Sequence, residues 1–343
     1  MDILLNRNDF RQLVFERDQN RCVVCKATAV DAHHILERRL FDDGGYYLNN
    51  GVSLCSDHHL KAEKTLISCE DLRNYAGITE LMIPEHFYTD TKYDKWGNII
   101  LPNGTRIKGE LFHTEQVQHI LKEAFLLQDF TEYVKYPRTY HFPWSPNLQN
   151  DDRMMHDLTP FEGKRVIVSL KMDGENANLY PNYIHARSLL WASHPSRTWI
   201  KSFWGSMKHD IPEGWRICGE NVFAEHSIHY KNLDSYFYAF SIWNERNNCL
   251  AWDEFVDVCE MLNLKHVPVL YDGIWDPEKI QALLIDKTSD GNIMEGYVGR
   301  IADEISYGSW RRVVGKCVRK DHVQTDEHWL EKPLVKNNLK SNV

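Results

Sequence analysis

The pair Cys22-x2-Cys25 and, thirty residues on, the pair Cys55-x2-His58 constrain the start of this chain more than any other feature. Two pairs of soft ligands, each presented from a tight turn, suit one closed tetrahedral Zn²⁺ site. A unit of this size buries too little apolar surface to be stable unaided, so a metal staple is expected to be part of its folding. The other five cysteines (Cys69, Cys218, Cys249, Cys259, Cys317) are scattered. They read as small buried hydrophobes in a reducing, cytoplasmic setting.

The 343 residues suggest more than one domain, and the formal charge of −9 argues against a protein that coats nucleic acid non-specifically. A local basic groove stays compatible with that total. No apolar run is long enough for a membrane span, and the opening "MDILLNRNDFRQLVFERD" lacks a signal-peptide core. It predicts an amphipathic helix with Leu5, Phe10, Leu13 and Val14 near one face. Residues 1–70 read as a compact Cys/His-rich unit. Residues 71–130 read as a connecting segment with a hairpin or meander around "KYDKWGNIILPNGTRIKGELF" and a helix opened by Thr114. Residues 131–343 alternate strand-like runs with turns and a few helices. "VIVSLKM", "WRICGENVF", "YFYAFSIW", "IMEGYVGR" and "RRVVGKCVRK" predict strands, and "DEFVDVCEMLNL" and "DPEKIQALLIDK" predict helices. The fold class is α+β rather than a regular βαβ alternation.

Between and after the two ligand pairs lie His33, His34, Asn50 and His59. This order resembles the HNH endonuclease family over about sixty residues. The resemblance implies a small zinc-bound ββα-metal domain. In it His34 is the general base for water, His33 and His59 are ligands of a catalytic divalent metal, and Asn50 orients the base or its loop. A neutral imidazole can take a proton from water, and a hard cation can stabilise charge on a scissile phosphate. His33 stands where the family often has an acid, and Glu63, one turn past His59, can replace a ligand.

The stretch "VSLKMDGENANLY" ends an alternating apolar run on Lys171 and turns at once through Asp173 and Gly174. Alone this is a strand ending in a solvated lysine before an ordinary turn. Downstream, however, Arg187 follows "YIHA", Glu220 sits in "RICGEN", Phe240 in "YFYAFSIW", Glu295 in "IMEGYV" and Lys316 in "VVGKCVRK". Together with "YPRTYHFPWSP" and "GENVFAEHSIHY", this series resembles the covalent nucleotidyltransferases, most closely RNA ligases of the phage and bacterial type. The resemblance covers residues 135 to 330 and implies an ATP-grasp-like domain of antiparallel sheets. Lys171 would be adenylylated by ATP, with its pKa lowered by burial and nearby cations. Asp173 and Gly174 would shape the turn beside it. Arg187 would contact phosphate or RNA, Glu220 the ribose and Phe240 the adenine. Glu295 would hold Mg²⁺ or Mn²⁺, and Lys316 would neutralise the α-phosphate. The family often has a second lysine two residues after the first; Val318 stands there, leaving Arg319 or Lys320 for that role.

The resemblance implies RNA as substrate, with DNA an alternative for the amino-terminal part. Only 23 residues follow Lys320, too few for the further domain that DNA ligases of the superfamily carry, which favours RNA. HNH-type hydrolysis leaves a 3′-hydroxyl and a 5′-phosphate, the ends such a ligase joins. The expectation is an ATP-dependent RNA ligase with an HNH nuclease-like domain. The competing readings are a ligase whose zinc domain only binds nucleic acid, and a DNA-cleaving nuclease with secondary ligation.

Overall fold

The structure is a computed structural model describing residues 3–102, 104–146, 148, 152–187, 189, 194–288, 291–320 and 334–340. The chain forms two compact units, Met1–Val134 and Lys135–Val343.

In the first unit, helix α1 (Arg7–Arg17) starts at Asn6, whose side chain accepts from the amides of Asn8 and Asp9, satisfying donors that a helix start leaves open. Phe10 and Val14, one turn apart, form its buried stripe, while Leu13, expected on the same face, is 36% exposed. Strands β1 (Asp31–His34) and β2 (Gly51–Leu54) pair antiparallel, with His33 opposite Val52 and His34 opposite Gly51. Helix α2 (Ser56–Glu63) completes a ββα order, and α3 (Cys69–Ala76) follows, capped by the Ser68 side chain.

Residues 71–130 belong to this same unit. Strands β3 (Lys92–Tyr93), β4 (Ile99–Ile100) and β5 (Arg106–Ile107) form the expected small meander. Its first turn is built around the buried Asp94 carboxylate, which accepts from the amides of Trp96 and Asn98 and from Arg106. Helix α4 (Glu115–Glu123) begins after Thr114 as expected, but the Thr114 hydroxyl donates to the Leu111 carbonyl and makes no cap bond to the helix.

The second unit contains two sheets among the described residues. Its strands are β6 (Tyr140–His141), β7 (Arg165–Lys171), β8 (Glu175–Leu179), β9 (Ile184–Ala186), β10 (Arg216–Asn221), β11 (Phe237–Trp243), β12 (Asn248–Cys249), β13 (Val269–Ile274), β14 (Gly296–Ile301), β15 (Ile305–Ser306) and β16 (Val314–Val318). One sheet runs β15-β12-β11-β10-β8-β9 and the other β13-β7-β14-β16-β6. All of these pairings are antiparallel except β16 with β6. Helices α5 (Thr198–Met207), α6 (Trp252–Met261), α7 (Pro277–Gln281) and α8 (Trp310–Val313) complete it. Each predicted strand run therefore contains a strand. The helix expected over "DPEKIQALLIDK" is shorter, ending at Gln281, after which Leu283 and Leu284 pack on the core that holds Ile280.

Candidate active site and metal centres

Register in the second unit decides where Lys171 points. It closes β7 opposite Gly296 of β14, so Glu295, the residue before that strand, is brought against it. The Lys171 Nζ and Glu295 Oε1 form an ion pair, with the Glu295 side chain 2% exposed. Gly296 is required here, since a Cβ would lie 2.0 Å from the Cys317 carbonyl oxygen. Burial pulls the Lys171 amine down. The charges of Glu295 and Glu220 and the hydrogen bond to Glu295 outweigh it, so its pKa is raised above the ordinary lysine value. This corrects the expected direction: the carboxylates hold the amine as an ammonium. Glu220, on β10, is pushed up to about 8 by burial, opposed by Lys171 and reinforced by Glu295.

Lys171, Arg187, Glu220, Phe240 and Lys316 all line one cavity of about 690 Å³, within the size range of nucleotide-sized pockets. Glu295 and Asp173 are buried and are not among its lining residues. Lys316 lies 3.2 Å from Asp152 Oδ1, which is 3.1 Å from His141 Nε2. Burial and the cations Lys171 and Arg187 lower the Lys316 pKa despite Asp152. Lys320 is exposed and does not line the cavity, and Val318 is buried with its amide donating to Ser145.

The turn after Lys171 is held from outside itself. Asp173 Oδ2 accepts from the Ser227 amide and hydroxyl and from the Ile228 amide at 2.7–2.9 Å. Its own amide donates to the Tyr230 hydroxyl at 2.9 Å. The expectation that Asp173 orders its own turn is replaced by a link to the 225–230 loop. Gly174 is needed for close approach: a Cβ there would lie 2.5 Å from the Asn221 carbonyl oxygen. Sequence reasoning missed the buried Glu175–Arg197 pair, with Arg197 Nε 2.9 and 3.0 Å from the two Glu175 oxygens, and also His226. These groups line the cavity. Glu175 directly follows the Asp-Gly turn and was within reach of inference; Arg197 and His226 sit in segments without periodic signal.

In the first unit Cys22, Cys25, Cys55 and His58 converge, their ligand atoms all within 4.8 Å of one another. Cys25 Sγ lies 3.7 Å from Cys55 Sγ, and Cys22 Sγ lies 3.6 Å from His58 Nδ1. Two sulfurs on a tetrahedral zinc with ~2.3 Å bonds sit roughly 3.8 Å apart, so the donor set fits that ion. Burial raises the Cys22 thiol, but backbone hydrogen bonds at Cys55, Cys25 and Val24 outweigh it and lower its pKa, which favours the thiolate ligand.

His33, His59 and Glu63 form a second group of donors. His33 Nδ1 is 3.4 Å and His59 Nε2 is 3.7 Å from Glu63 Oε1, with Asp31 Oδ2 3.5 Å from His59. Among the described residues both ring nitrogens of the buried His33 lack a hydrogen-bond partner, and a cation bound at one of them would satisfy that atom. They line a cavity of about 350 Å³ shared with His34, Arg7, Arg38 and Lys95. His34 stacks on Phe10 at 4.5 Å, and burial, aided by Lys95, lowers its pKa to about 4. Asn50 is fully buried, and its side chain bonds Leu36 N, Leu36 O and Gly45 O, main-chain groups of the loop rather than the His34 ring. Lys95, from the meander, was missed. Its Nζ is 3.2 Å from Glu63 and donates to the His34 carbonyl at 3.0 Å.

Residues 164–318 match the family model described as RNA ligase, a stretch that holds every candidate from Lys171 to Lys316. No curated protein matches the chain. Among solved structures it is similar to Naegleria gruberi RNA ligase. A mutant with ATP and Mn is 19% identical, covering 47% of this chain and 51% of that one at a TM-score of 0.35. The form with pyrophosphate is 17% identical, covering 92% and 82% at 0.37. A chain provisionally described as an ATP-dependent DNA ligase from Aquifex aeolicus is 16% identical, covering 69% and 56% at 0.40. In the first of these alignments the chain spans about half the length of its relative. These likenesses are distant. Among the described residues no helix is long and apolar enough to cross a membrane.

Proposed function

We propose that the chain is an ATP-dependent RNA ligase that joins 3′-hydroxyl and 5′-phosphate ends through a lysyl-AMP intermediate. The observation that carries this is one cavity lined by Lys171, Arg187, Glu220, Phe240 and Lys316, inside the segment that matches RNA ligase. Lys171 Nζ, once neutral, attacks the α-phosphorus of ATP. A nitrogen–phosphorus bond forms, the bond to pyrophosphate breaks, and Glu295 is the nearest acceptor for the amine proton. The adenylyl group then passes to an RNA 5′-phosphate and frees the amine, and the 3′-hydroxyl displaces AMP. Lys316 and Arg187 meet the phosphate charge, Phe240 offers a ring face and Glu220 an acceptor for a ribose hydroxyl. Glu295 would hold a Mg²⁺ or Mn²⁺, which would supply charge neutralisation when bound. Incubation with α-labelled ATP followed by 5′-phosphorylated RNA tests the reading: label should move from protein to RNA and be released as AMP on sealing. Sealing with no labelled protein would contradict it.

The first unit supports a second activity, divalent-metal-dependent cleavage of nucleic acid. The cavity that joins His34 to the His33–His59–Glu63 donor set and to basic side chains favours it over a binding-only module. His34, neutral by burial, would take the proton from water. Nicking of RNA or DNA by the unaltered protein but not by His34→Ala tests it. If both are silent while ligation survives, the binding module is the better reading.

A further inference from the structure

We infer that the carboxy-terminal segment 334–340 is a positioning element of the nucleotidyl-transfer site, acting through Asn337; the inference rests on the ligase reading above. Asn337 is fully buried. Its Oδ1 accepts from the Tyr230 amide at 2.8 Å, and its Nδ2 donates to the carbonyls of Val222 at 2.9 Å and Ala224 at 3.2 Å. One side chain thus grips both ends of the loop 222–230. Its backbone adds two bonds: its amide donates to Phe223 O, and its carbonyl accepts from the Tyr236 hydroxyl.

That loop is the one that shapes the turn beside Lys171. The Tyr230 hydroxyl accepts from the Asp173 amide, and Ser227 and Ile228 donate to the Asp173 carboxylate. Val222 packs where a Gly174 Cβ would stand, and His226 faces the cavity. A relay therefore runs from Asn337 to Tyr230, to Asp173 and to the nucleophile two residues before it.

The attachment is polar rather than apolar. Leu334, Val335 and Leu339 are 43%, 48% and 43% exposed, and Asn337 is the one fully buried residue of the segment. Main-chain bonds join Val335, Asn338 and Lys340 to Glu225, Tyr230 and Leu233, and Asn337 is the buried side chain through which the segment grips the loop. It also lies outside residues 164–318, the stretch matching the family. The loop it holds carries several polar groups that must be paired when buried, and its own covalent connections fix only its ends.

The test uses the full chain with Asn337→Ala and Tyr230→Phe, and Cys259→Ala as a core control away from the relay. Two quantities are read: amide hydrogen exchange over 172–174 and 222–230, and the rate of AMP incorporation from α-labelled ATP. Asn337→Ala should speed exchange in both segments, and Tyr230→Phe in 172–174. Both should slow incorporation roughly 10- to 100-fold, as small misplacements of a reacting group do, while Cys259→Ala leaves it near the unaltered rate. Unchanged exchange over 172–174 in Asn337→Ala overturns the inference, as does equal loss of incorporation in the control. If Asn337→Ala does not fold, Tyr230→Phe decides by the same two readouts. Absence of label in the unaltered protein would instead overturn the ligase reading, and the exchange data would still decide the relay.

Discussion

Lys171 presents a contradiction that its neighbours resolve: a nucleophilic amine has to be neutral, yet Glu295 and Glu220 raise its pKa. Because the carboxylates favour the ammonium form of Lys171, adenylylation should accelerate with pH across the alkaline range. Glu295→Gln removes the main charge that raises the pKa and leaves burial, which lowers it. Lys171 in that variant should therefore react with an amine-acylating reagent at lower pH than in the unaltered protein, read by peptide mass spectrometry, although nucleotide-dependent adenylylation is lost. A Lys171 reactivity profile unmoved by Glu295→Gln would remove Glu295 from this role. Lys171→Arg keeps the charge but cannot deprotonate. It should match Lys171→Ala in taking no label, while both still seal RNA that already carries a 5′-adenylyl group.

At the scale of elements, most of the scaffold was legible and much of its cross-linking was not. β7, β10, β11 and β16 follow apolar runs that carry Lys171, Glu220, Phe240 and Lys316 to one cavity. Alternation and turn signals carry that information locally. What escaped were partners recruited from irregular segments: Asp152 beside Lys316, Arg197 beside Glu175, Lys95 beside Glu63 and Asn337 beneath the 222–230 loop. No period marks such residues, and the contacts span up to 164 residues of sequence. The direction of the Lys171 shift escaped for the same reason, because the lysine alone announces burial but not the carboxylates behind it. Two substitutions test the packing. Gly174→Ala forces a Cβ against the Asn221 carbonyl, and overpacking of this kind costs about 1–3 kcal/mol; a denaturant midpoint as high as that of the unaltered protein would argue against the close approach. Asn50→Ala strands Leu36 N, Leu36 O and Gly45 O, at on the order of 1–3 kcal/mol for each buried group left unpaired. The first unit should then melt earlier while labelling by ATP persists.

On the scale of the whole molecule, the two units make separable claims. One Zn²⁺ per chain is expected at Cys22, Cys25, Cys55 and His58, and chelation should unfold the first unit, since site formation and folding are linked. Elemental analysis showing no zinc in protein whose first unit is folded would refute that site. Glu295→Gln and Lys316→Ala should abolish nucleotide-dependent chemistry without altering any cleavage by the first unit, and His34→Ala the reverse, at about 10² to 10⁴ in cleavage rate. The central claim is the covalent one, and it is tested by digesting protein incubated with α-labelled ATP and Mg²⁺ or Mn²⁺ and locating the label. The account predicts one AMP on the peptide containing Lys171, with pyrophosphate released and no label on Lys171→Arg. Label that persists in Lys171→Arg, or that resides on another peptide of the unaltered protein, would contradict it.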